Sequence, residues 1–276
     1  MHLVIQGAAL AEADLRQIEQ LAQARQIERL GPAACRLIGA RQRPGIAEIC
    51  ERARLDFALV PANRRLADMG LLAIDMDSTL ITIECIDEIA DLAGVKAEVS
   101  AITAAAMAGK LDYAQSLRRR VGLLRGLDED ALARVYDERL RLSPGAETLL
   151  AAVKRAGVKT LLVSGGFSFF TERLKTRLGL DYSISNALGI EHGRLTGQVV
   201  GDIVDAEAKA AKLRAVRDEL GIAKERIIAV GDGANDLKMM AEAGVSIAYH
   251  AKAVARGKAD YALDYVGLDG VLNLFG

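Results

Sequence analysis

The chain has 276 residues, of which 51% are hydrophobic and 26% are charged. These fractions are typical of a globular protein and exclude a chain that is disordered throughout. The 36 Lys and Arg residues and the 37 Asp and Glu residues leave a formal net charge of −1. A nucleic-acid-binding protein would carry a basic excess, so we expect no nucleic-acid partner. The length favours one large domain, alone or with a smaller companion.

The sequence also argues against a membrane protein. Its longest uncharged run, residues 160–171, contains Ser and Gly and is far shorter than the ~20 apolar residues of a membrane span. The N-terminus has neither the basic start nor the cleavage site of a signal peptide. Three scattered cysteines, Cys35, Cys50 and Cys85, show no CxxC spacing. They are typical of buried thiols in a reducing compartment, so we expect a cytoplasmic protein.

Residues 1–66 are predicted to form a small N-terminal α+β domain. Apolar runs at 3–6, 35–40 and 57–60 predict strands, and apolar residues at helical spacing within 13–25 and 45–54 predict helices between them. The resulting β-α-β-α-β order resembles the small amino-acid-binding regulatory domains of the ACT type, with fewer strands than those domains have. We therefore expect either a role in assembly or regulation, such as dimerisation, or a stabilising appendage.

A larger α/β domain is predicted for residues 70–276, after a linker marked by Pro61 and the polar residues 63–65. The segments LLAID, VKTLLVSGG and ERIIAVGDG are apolar runs, and the latter two lead through glycine into helical patterns. Strands that alternate with helices predict a doubly wound parallel sheet. Ligands bind such sheets beyond the carboxyl ends of the strands. The sequence places Asp, Ser and Asp at these three ends.

Two segments depart from this alternation. Residues 84–142 show helical patterns only, which predicts a helical insertion, over about 82–143, that caps the strand ends. Residues 182–200 have the pattern of a β-hairpin that turns near His192 and Gly193.

Four aspartates could bind a metal ion at the strand ends. Asp75 and Asp77 follow the first strand, and Asp232 and Asp236 follow the third. The first pair alone is as typical of a capped turn as of a site, but the second pair favours a site. Clustered carboxylates repel one another unless a proton or a cation neutralises them. Because all the donors are oxygens, we expect a hard divalent ion, Mg²⁺.

A phosphate site is predicted between these two pairs. Ser164 and Gly165 end the second strand and precede a helical pattern, where a hydroxyl and backbone N–H groups could hold phosphate oxygens. This motif is weak alone, because Ser-Gly-Gly is also a common turn. Lys209 could neutralise phosphate, although by composition Lys212 is an equal candidate.

The order strand-DxDST, strand-SGG, lysine, strand-GDGxND resembles the four motifs of the haloacid dehalogenase-like (HAD) phosphatases, over about residues 71–264. In the insertion, ECIDEIA and AMAGKLDYAQSLRRRVGLL are similar to the phosphoserine phosphatase family in particular. The resemblance implies a Rossmann-like HAD core under a helical cap. Met76 departs from the pattern, since the family usually has an aromatic residue there.

The resemblance also implies a role for each motif residue. Asp75 would be the nucleophile that forms an aspartyl-phosphate. Asp77 would act first as general acid and then as general base, and its backbone carbonyl would help to hold Mg²⁺. Asp232 would complete the metal site, with support from Asp236. The remaining residues would hold phosphate or orient neighbouring groups: Ser164, Gly165, Lys209 and Asn235.

Phosphoserine also carries an ammonium and a carboxylate group. The resemblance places the ammonium-binding acid at Glu84, although a solvated acidic face with Asp87, Glu88 and Asp91 is the plainer interpretation. For the carboxylate, helical geometry singles out one arginine of the run 118–120. Arg120 lies close to the apolar stripe of its helix, and Arg119 lies nearly opposite. The family's carboxylate-binding arginine also falls on Arg120, by a separate argument.

Met107 and Tyr113 match family positions that line the cap over the substrate, although either could be plain cap core. The family often has Phe where this chain has Tyr113, whose hydroxyl could touch substrate or reach water. We therefore expect a Mg²⁺-dependent enzyme that hydrolyses O-phosphoserine in the last step of serine biosynthesis, with a homodimer as one possible assembly. One alternative is a related phosphatase or phosphotransferase that acts on another amino acid or alcohol. Another is a non-catalytic metabolite-binding regulator.

Overall fold

The computed structural model describes all residues, Met1–Gly276. Its strands are β1 (His2–Gly7), β2 (Gln26–Gly31), β3 (Ala34–Ile38), β4 (Leu55–Val60), β5 (Leu71–Asp75), β6 (Lys159–Phe167), β7 (Tyr182–Glu191), β8 (Arg194–Val200), β9 (Ile227–Gly231), β10 (Val245–Tyr249) and β11 (Tyr261–Leu263). Its α-helices are α1 (Glu12–Ala22), α2 (Ile46–Ala53), α3 (Cys85–Leu92), α4 (Lys96–Met107), α5 (Tyr113–Gly122), α6 (Asp130–Arg134), α7 (Ala146–Arg155), α8 (Ser168–Leu178), α9 (Ala206–Leu220), α10 (Leu237–Ala241) and α11 (Ala253–Arg256).

The chain forms two compact units. The first comprises Met1–Leu72, Ser143–Lys159 and Ile222–Gly276, and the second comprises Ala73–Leu142 and Thr160–Gly221. None of the helices combines the length and the apolar character that a membrane crossing needs.

The first unit begins with a four-stranded antiparallel sheet in the order β2-β3-β1-β4. With α1 and α2, this gives the β-α-β-β-α-β order of ferredoxin-like modules. One face of the sheet packs against both helices, because alternate strand residues such as Leu3 and Ile5 meet the apolar stripe that includes Leu15, Ile18 and Ile46.

The sequence-based prediction for this module was one strand short. The missed strand is β2, whose residues QIERLG are exposed or only partly buried. It lies at the edge of the sheet and pairs only with β3. An edge strand with charged side chains shows little of the apolar signal that identifies a buried strand. The prediction that this module has fewer strands than the ACT-type regulatory domains was therefore wrong.

The other face of this sheet is covered by the C-terminal residues of the same unit. Gln6 donates to the Gly270 carbonyl over 3.2 Å and accepts from the Asn273 amide over 2.7 Å. Arg36 donates to the carbonyl oxygens of Asn273, at 3.2 Å, and Phe275, at 2.5 Å. Because Arg36 and Gln6 are both buried, these bonds satisfy polar groups that would otherwise be costly.

A seven-stranded sheet has the order β11-β10-β9-β5-β6-β7-β8. The pairs β9–β10, β10–β11 and β6–β7 are parallel, and β8 is paired antiparallel with β7. Every residue of β5, β9 and β10 is buried, as expected for a parallel sheet. This confirms the predicted α/β fold with its largely parallel sheet. Strands β10 and β11 were not predicted.

The second unit contains the predicted helical insertion and the predicted hairpin. Helices α3 to α6 follow one another without an intervening strand. An isolated bridge between Ile81 and Leu142 joins the two ends of this insertion. Strands β7 and β8 form the hairpin, and the turn residues His192 (φ 50°) and Gly193 (φ 75°) are both left-handed. A two-residue turn with two left-handed residues has a backbone twist that matches the right-handed twist of the strands on either side of it.

Candidate active site

The first functional segment is the tight turn Met76–Leu80, which follows β5 directly. β5 ends at Asp75, and the buried side chain of Met76 anchors the start of the turn. Ser78 has a left-handed backbone with φ of 56°, a conformation that a residue other than glycine adopts only at some energetic cost. The turn therefore holds Asp75 and Asp77 near the end of the strand instead of continuing it.

Asp75 is paired with a buried lysine. Its Oδ1 accepts a hydrogen bond of 2.5 Å from Lys209 Nζ, and the two side chains are only 5% and 1% exposed. Helix α9 positions Lys209, since the Asp205 carboxylate caps the helix through the Ala208 N–H. Lys212 is partly exposed. The structure therefore separates two lysines that composition alone could not distinguish.

Asp77 has two donors. Its Oδ1 accepts from the backbone N–H of Cys85 at 2.9 Å, at the start of α3, and its Oδ2 accepts from Ser164 Oγ at 3.4 Å. Burial raises the pKa of the Asp77 carboxyl above its usual value, against the lowering effect of the Cys85 N–H. A raised pKa favours the protonated form that a general acid needs.

The C-terminal part of β6, which contains Ser164, Gly165 and Gly166, is tightly packed. Ser164 is fully buried, and its Oγ accepts from the Gly166 N–H at 2.8 Å. A Cβ added at Gly165 would come within 2.3 Å of Tyr113 Oη, and one at Gly166 within 2.6 Å of Asp77 Oδ2. A side chain at either position would displace Tyr113 or Asp77, so the two glycines allow the backbone to lie directly against these residues.

Three carboxylates could hold a metal ion together. Asp75, Asp232 and Asp236 are buried, and each offers an oxygen within 4.8 Å of the others. Asp236 Oδ2 accepts from the Gly233 N–H at 3.1 Å, which fixes its orientation. Buried carboxylates this close repel one another strongly, so the all-oxygen cluster fits a hard divalent cation. The sequence analysis expected these residues to meet.

Asn235 and Lys252 lie next to this cluster. Asn235 is partly buried, and its amide donates to Asp236 Oδ1 at 3.4 Å. Lys252 Nζ lies 3.1 Å from Asp232 Oδ2, and the Lys252 N–H donates to the Asp232 carbonyl at 2.9 Å. The sequence analysis did not identify Lys252, because a single lysine in a polar loop has no distinguishing pattern.

Glu84 is exposed, and one of its carboxylate oxygens accepts from Ser78 Oγ at 2.8 Å. The two acids that follow on α3 at i+4 and i+7, Glu88 and Asp91, are instead bound by Arg139, each over 2.6 Å. The structure thus pairs these two acids with a cation and leaves Glu84 next to the turn that carries Asp77.

Arg120 is the one arginine of its run that turns inward. Arg118 and Arg119 are exposed, whereas Arg120 is partly buried and its Nε is buried without a hydrogen-bond partner. This agrees with the helical geometry used above. Met107, in contrast, is 76% exposed at the end of α4, so nothing in this conformation packs around it.

Tyr113 lies over the loop at Gly165. Its hydroxyl donates to the Gly165 carbonyl at 3.0 Å, and burial raises the pKa of Tyr113 to about 12. The same carbonyl accepts from the Asn186 amide at 2.7 Å, and Asn186 Oδ1 accepts from the Val204 N–H at 2.8 Å. The sequence analysis missed Asn186. The only sign of Asn186 in the sequence was a side-chain amide within a segment that otherwise has the pattern of a strand.

Two family models and a curated relative match this chain. The family model for haloacid dehalogenase-like hydrolases matches residues 72–241, and a model described as a domain of unknown function (DUF4072) matches residues 3–46. A phosphoserine phosphatase of Albidiferax ferrireducens is 55% identical over 216 residues, which are 76% of this chain and 91% of that protein.

Two solved structures are similar to the chain. The crystal structure of a probable phosphoserine phosphatase from Vibrio cholerae, in its unliganded form, has a TM-score of 0.87 and 39% identity, and the match covers 99% of this chain and 85% of that one. A substrate-bound phosphoserine phosphatase complex has a TM-score of 0.71 and 40% identity, and the match covers 75% of this chain and 99% of that one.

Proposed function

Because the chain belongs to the haloacid dehalogenase-like hydrolases and, within them, to the phosphoserine phosphatases, we propose that it hydrolyses O-phosphoserine to serine and inorganic phosphate. The observation that carries this proposal is the buried pair of Asp75 and Lys209. A carboxylate with a buried cation at its side is a nucleophile that needs no activating base.

In the first step, an Asp75 oxygen attacks phosphorus and the ester bond between phosphorus and the seryl oxygen breaks. Asp77 gives its proton to the leaving seryl oxygen, so that serine departs as a neutral alcohol. The raised pKa of Asp77 supports this role. Asp75 then carries the phosphoryl group as an aspartyl-phosphate.

In the second step, Asp77 takes a proton from water as the water oxygen attacks the phosphoryl group. The bond between phosphorus and Asp75 breaks, which releases phosphate and restores the Asp75 carboxylate and the Asp77 acid. One residue can serve both steps because it leaves the first step deprotonated, ready to act as a base.

In this proposal, the oxygen atoms of the aspartates at the strand ends would hold Mg²⁺. Its ligands would be the carboxylates of Asp75 and Asp232 and the backbone carbonyl of Asp77, with Asp236 supporting them. A bound Mg²⁺ neutralises the charge that builds up on the phosphoryl oxygens during transfer. Lys209 adds a second positive charge on the same group, and Ser164, Gly165 and Asn235 orient its oxygens.

Selectivity for phosphoserine would come from the insertion. Arg120 has a partly buried guanidinium with an unpartnered Nε, and a guanidinium binds a carboxylate through two parallel hydrogen bonds. Glu84 would bind the substrate ammonium from its place beside Ser78. Tyr113 and Met107 would cover the bound substrate, with Met107 moving in from its exposed position when the cap closes.

We further propose that residues 1–66 form a domain of their own, that residues 70–276 form the phosphatase core, and that the cap spans about 82–143. The complete ferredoxin-like strand order of the first module supports a role in assembly, such as a homodimer, or in regulation. The three buried free cysteines support a cytoplasmic location, where thiols stay reduced.

The experiment that tests the function is a phosphate-release screen of the full chain over phosphorylated amino acids and sugars. We expect phosphoserine to be the preferred substrate and activity to require Mg²⁺. Added alcohols should leave the serine-to-phosphate ratio at one. A ratio above one would indicate a phosphotransferase, and no release from any substrate would leave the chain as a binding protein.

A further inference from the structure

A chain of hydrogen bonds connects the insertion with the phosphate loop. It begins at Tyr113, the first residue of α5, whose hydroxyl donates to the Gly165 carbonyl at 3.0 Å. That carbonyl and the N–H of Gly166 belong to one peptide unit, because a peptide group is planar. The Gly166 N–H in turn donates to Ser164 Oγ at 2.8 Å.

This arrangement determines which way the Ser164 hydroxyl can point. Since Ser164 Oγ already accepts from Gly166, its own proton is directed elsewhere, and the structure places it toward Asp77 Oδ2 at 3.4 Å. That distance is long for a bond between two oxygens. A phosphate oxygen bound in this loop would offer Ser164 a stronger, charged acceptor.

The Tyr113 hydroxyl can donate its hydrogen bond to the Gly165 carbonyl at every relevant pH. Burial raises its pKa to about 12, so its hydroxyl stays protonated and remains a donor. A second donor, the Asn186 amide, holds the same Gly165 carbonyl at 2.7 Å. Hydrogen bonds to a carbonyl polarise the peptide and strengthen the bond that its N–H donates.

We infer that the Tyr113 hydroxyl is a positioning group, which fixes the Gly165–Gly166 peptide and through it aims the Ser164 hydroxyl at the phosphoryl group. The hydroxyl does this without touching the substrate, whereas the ring of Tyr113 would cover the bound substrate. The inference rests on the proposed function, because it gives Ser164 the task of holding a phosphoryl oxygen. It goes further in making the insertion part of the phosphate-binding machinery.

The test is Tyr113→Phe in the full chain, which removes the hydroxyl and keeps the ring. A neutral hydrogen bond is worth a factor of about 2 to 10. We expect kcat to fall by about that factor on both phosphoserine and 4-nitrophenyl phosphate, with KM changed less than about twofold, because the phosphoryl group is common to both substrates. Tyr182→Phe removes the hydroxyl of another tyrosine, which donates to exposed Glu219, and should match the unmodified chain.

A double-variant cycle shows whether Ser164 carries the effect. In a Ser164→Ala background, Tyr113→Phe should cause no further loss in kcat, because the group that it aims is gone. Amide hydrogen exchange gives a readout that needs no turnover, and the Gly166 amide should exchange about 2- to 10-fold faster in Tyr113→Phe.

Three results would overturn the inference. A loss confined to phosphoserine would mean that the hydroxyl touches the serine part of the substrate. If Tyr113→Phe lowered kcat just as much in the Ser164→Ala background, the effect of the hydroxyl would not act through Ser164. Unchanged exchange at Gly166 would mean that Tyr113 does not hold the peptide. If the unmodified chain hydrolysed neither substrate, the proposed function would fail, and hydrogen exchange would still decide whether Tyr113 fixes the loop.

Discussion

The N-terminal module and the strand-end site both bury carboxylates, but they give them different partners. In the module, Asp56 accepts from the backbone N–H groups of Asp264 and Tyr265 at 2.8 and 3.0 Å. In the site, Asp75 accepts from Lys209, and Asp77 accepts from one backbone N–H and the Ser164 hydroxyl. Burial raises the pKa of both Asp56 and Asp77, so the direction of the shift does not separate a structural acid from a catalytic one.

Arg36, which is buried, and Arg120, which is partly buried, also differ in their partners. Arg36 in the module donates from Nη2 to the carbonyls of Asn273 and Phe275 and from Nη1 to a Glu28 carboxylate oxygen at 3.5 Å, while its Nε is buried without a partner. Arg120 in the insertion makes no hydrogen bond or ion pair in the structure, and its Nε is buried without a partner. The terminal nitrogens of Arg36 are therefore occupied within the fold, whereas those of Arg120 remain able to bind a ligand.

The strongest test of this comparison replaces one aspartate from each region. Asp75→Asn should reduce kcat by at least ~10⁴-fold, because an amide cannot attack phosphorus. The amide oxygen can still accept from Lys209, so circular dichroism should show an intact fold. The matched control, Asp56→Asn, should keep kcat per folded molecule within about twofold. Substantial turnover by Asp75→Asn would remove it as the nucleophile.

Arg120 allows a second test, with a control from the same helix. Arg120→Ala should lower kcat/KM for phosphoserine by about 10²-fold or more, because the substrate carboxylate loses a buried charged partner. An aryl phosphate has no carboxylate, so its hydrolysis should fall by less than about threefold. Arg119→Ala, which removes an exposed arginine, should leave both substrates unaffected. Equal losses on both substrates would show that Arg120 is not a carboxylate clamp.

The sequence could predict the central sheet and the convergence of its strand ends. Strands β5, β6 and β9 are short apolar runs followed by glycine or aspartate, and a parallel sheet brings their carboxyl ends to one edge. The inward direction of Arg120 also followed from helical geometry, because it depends only on neighbours within one helix. The roles of the site residues remain predictions.

Other features depend on contacts that the sequence does not encode locally. β2 was missed because an edge strand buries too little to show an alternating pattern. Asn186 and Asp56 find their partners through distant segments, at Val204 and Asp264. Composition did not distinguish Lys209 from Lys212, and only the family resemblance favoured Lys209. In the structure the two lysines lie on one helix and burial separates them.

Asp56 provides a stability test on the structural side of the comparison. Asp56→Ala removes the acceptor of two partly buried backbone N–H groups and should lower the free energy of unfolding by about 2 kcal/mol. Its pKa is raised in the fold, so the folded state binds the proton more tightly than the unfolded chain. The contribution of Asp56 should therefore grow as pH falls from neutral through the raised pKa toward ~3.9. Denaturant unfolding of both proteins at several pH values measures this, and Glu51→Ala, at an exposed position of α2, is the control.

The smallest effect is expected in the insertion, where Arg139 binds Glu88 and Asp91. The hydrogen bond from Arg139 lowers the pKa of Asp91, the opposite direction to Asp56. A lowered carboxyl pKa stabilises the fold above ~3.9 and ceases to do so as pH falls through the folded value. Arg139→Ala should therefore lower the melting temperature slightly at pH 7, and the difference from the unmodified protein should vanish in acid. High salt should also reduce it, because these side chains are partly or largely open to solvent. A difference that instead grew in acid, as predicted for Asp56, would mean that the acids of the insertion are held by burial and not by Arg139.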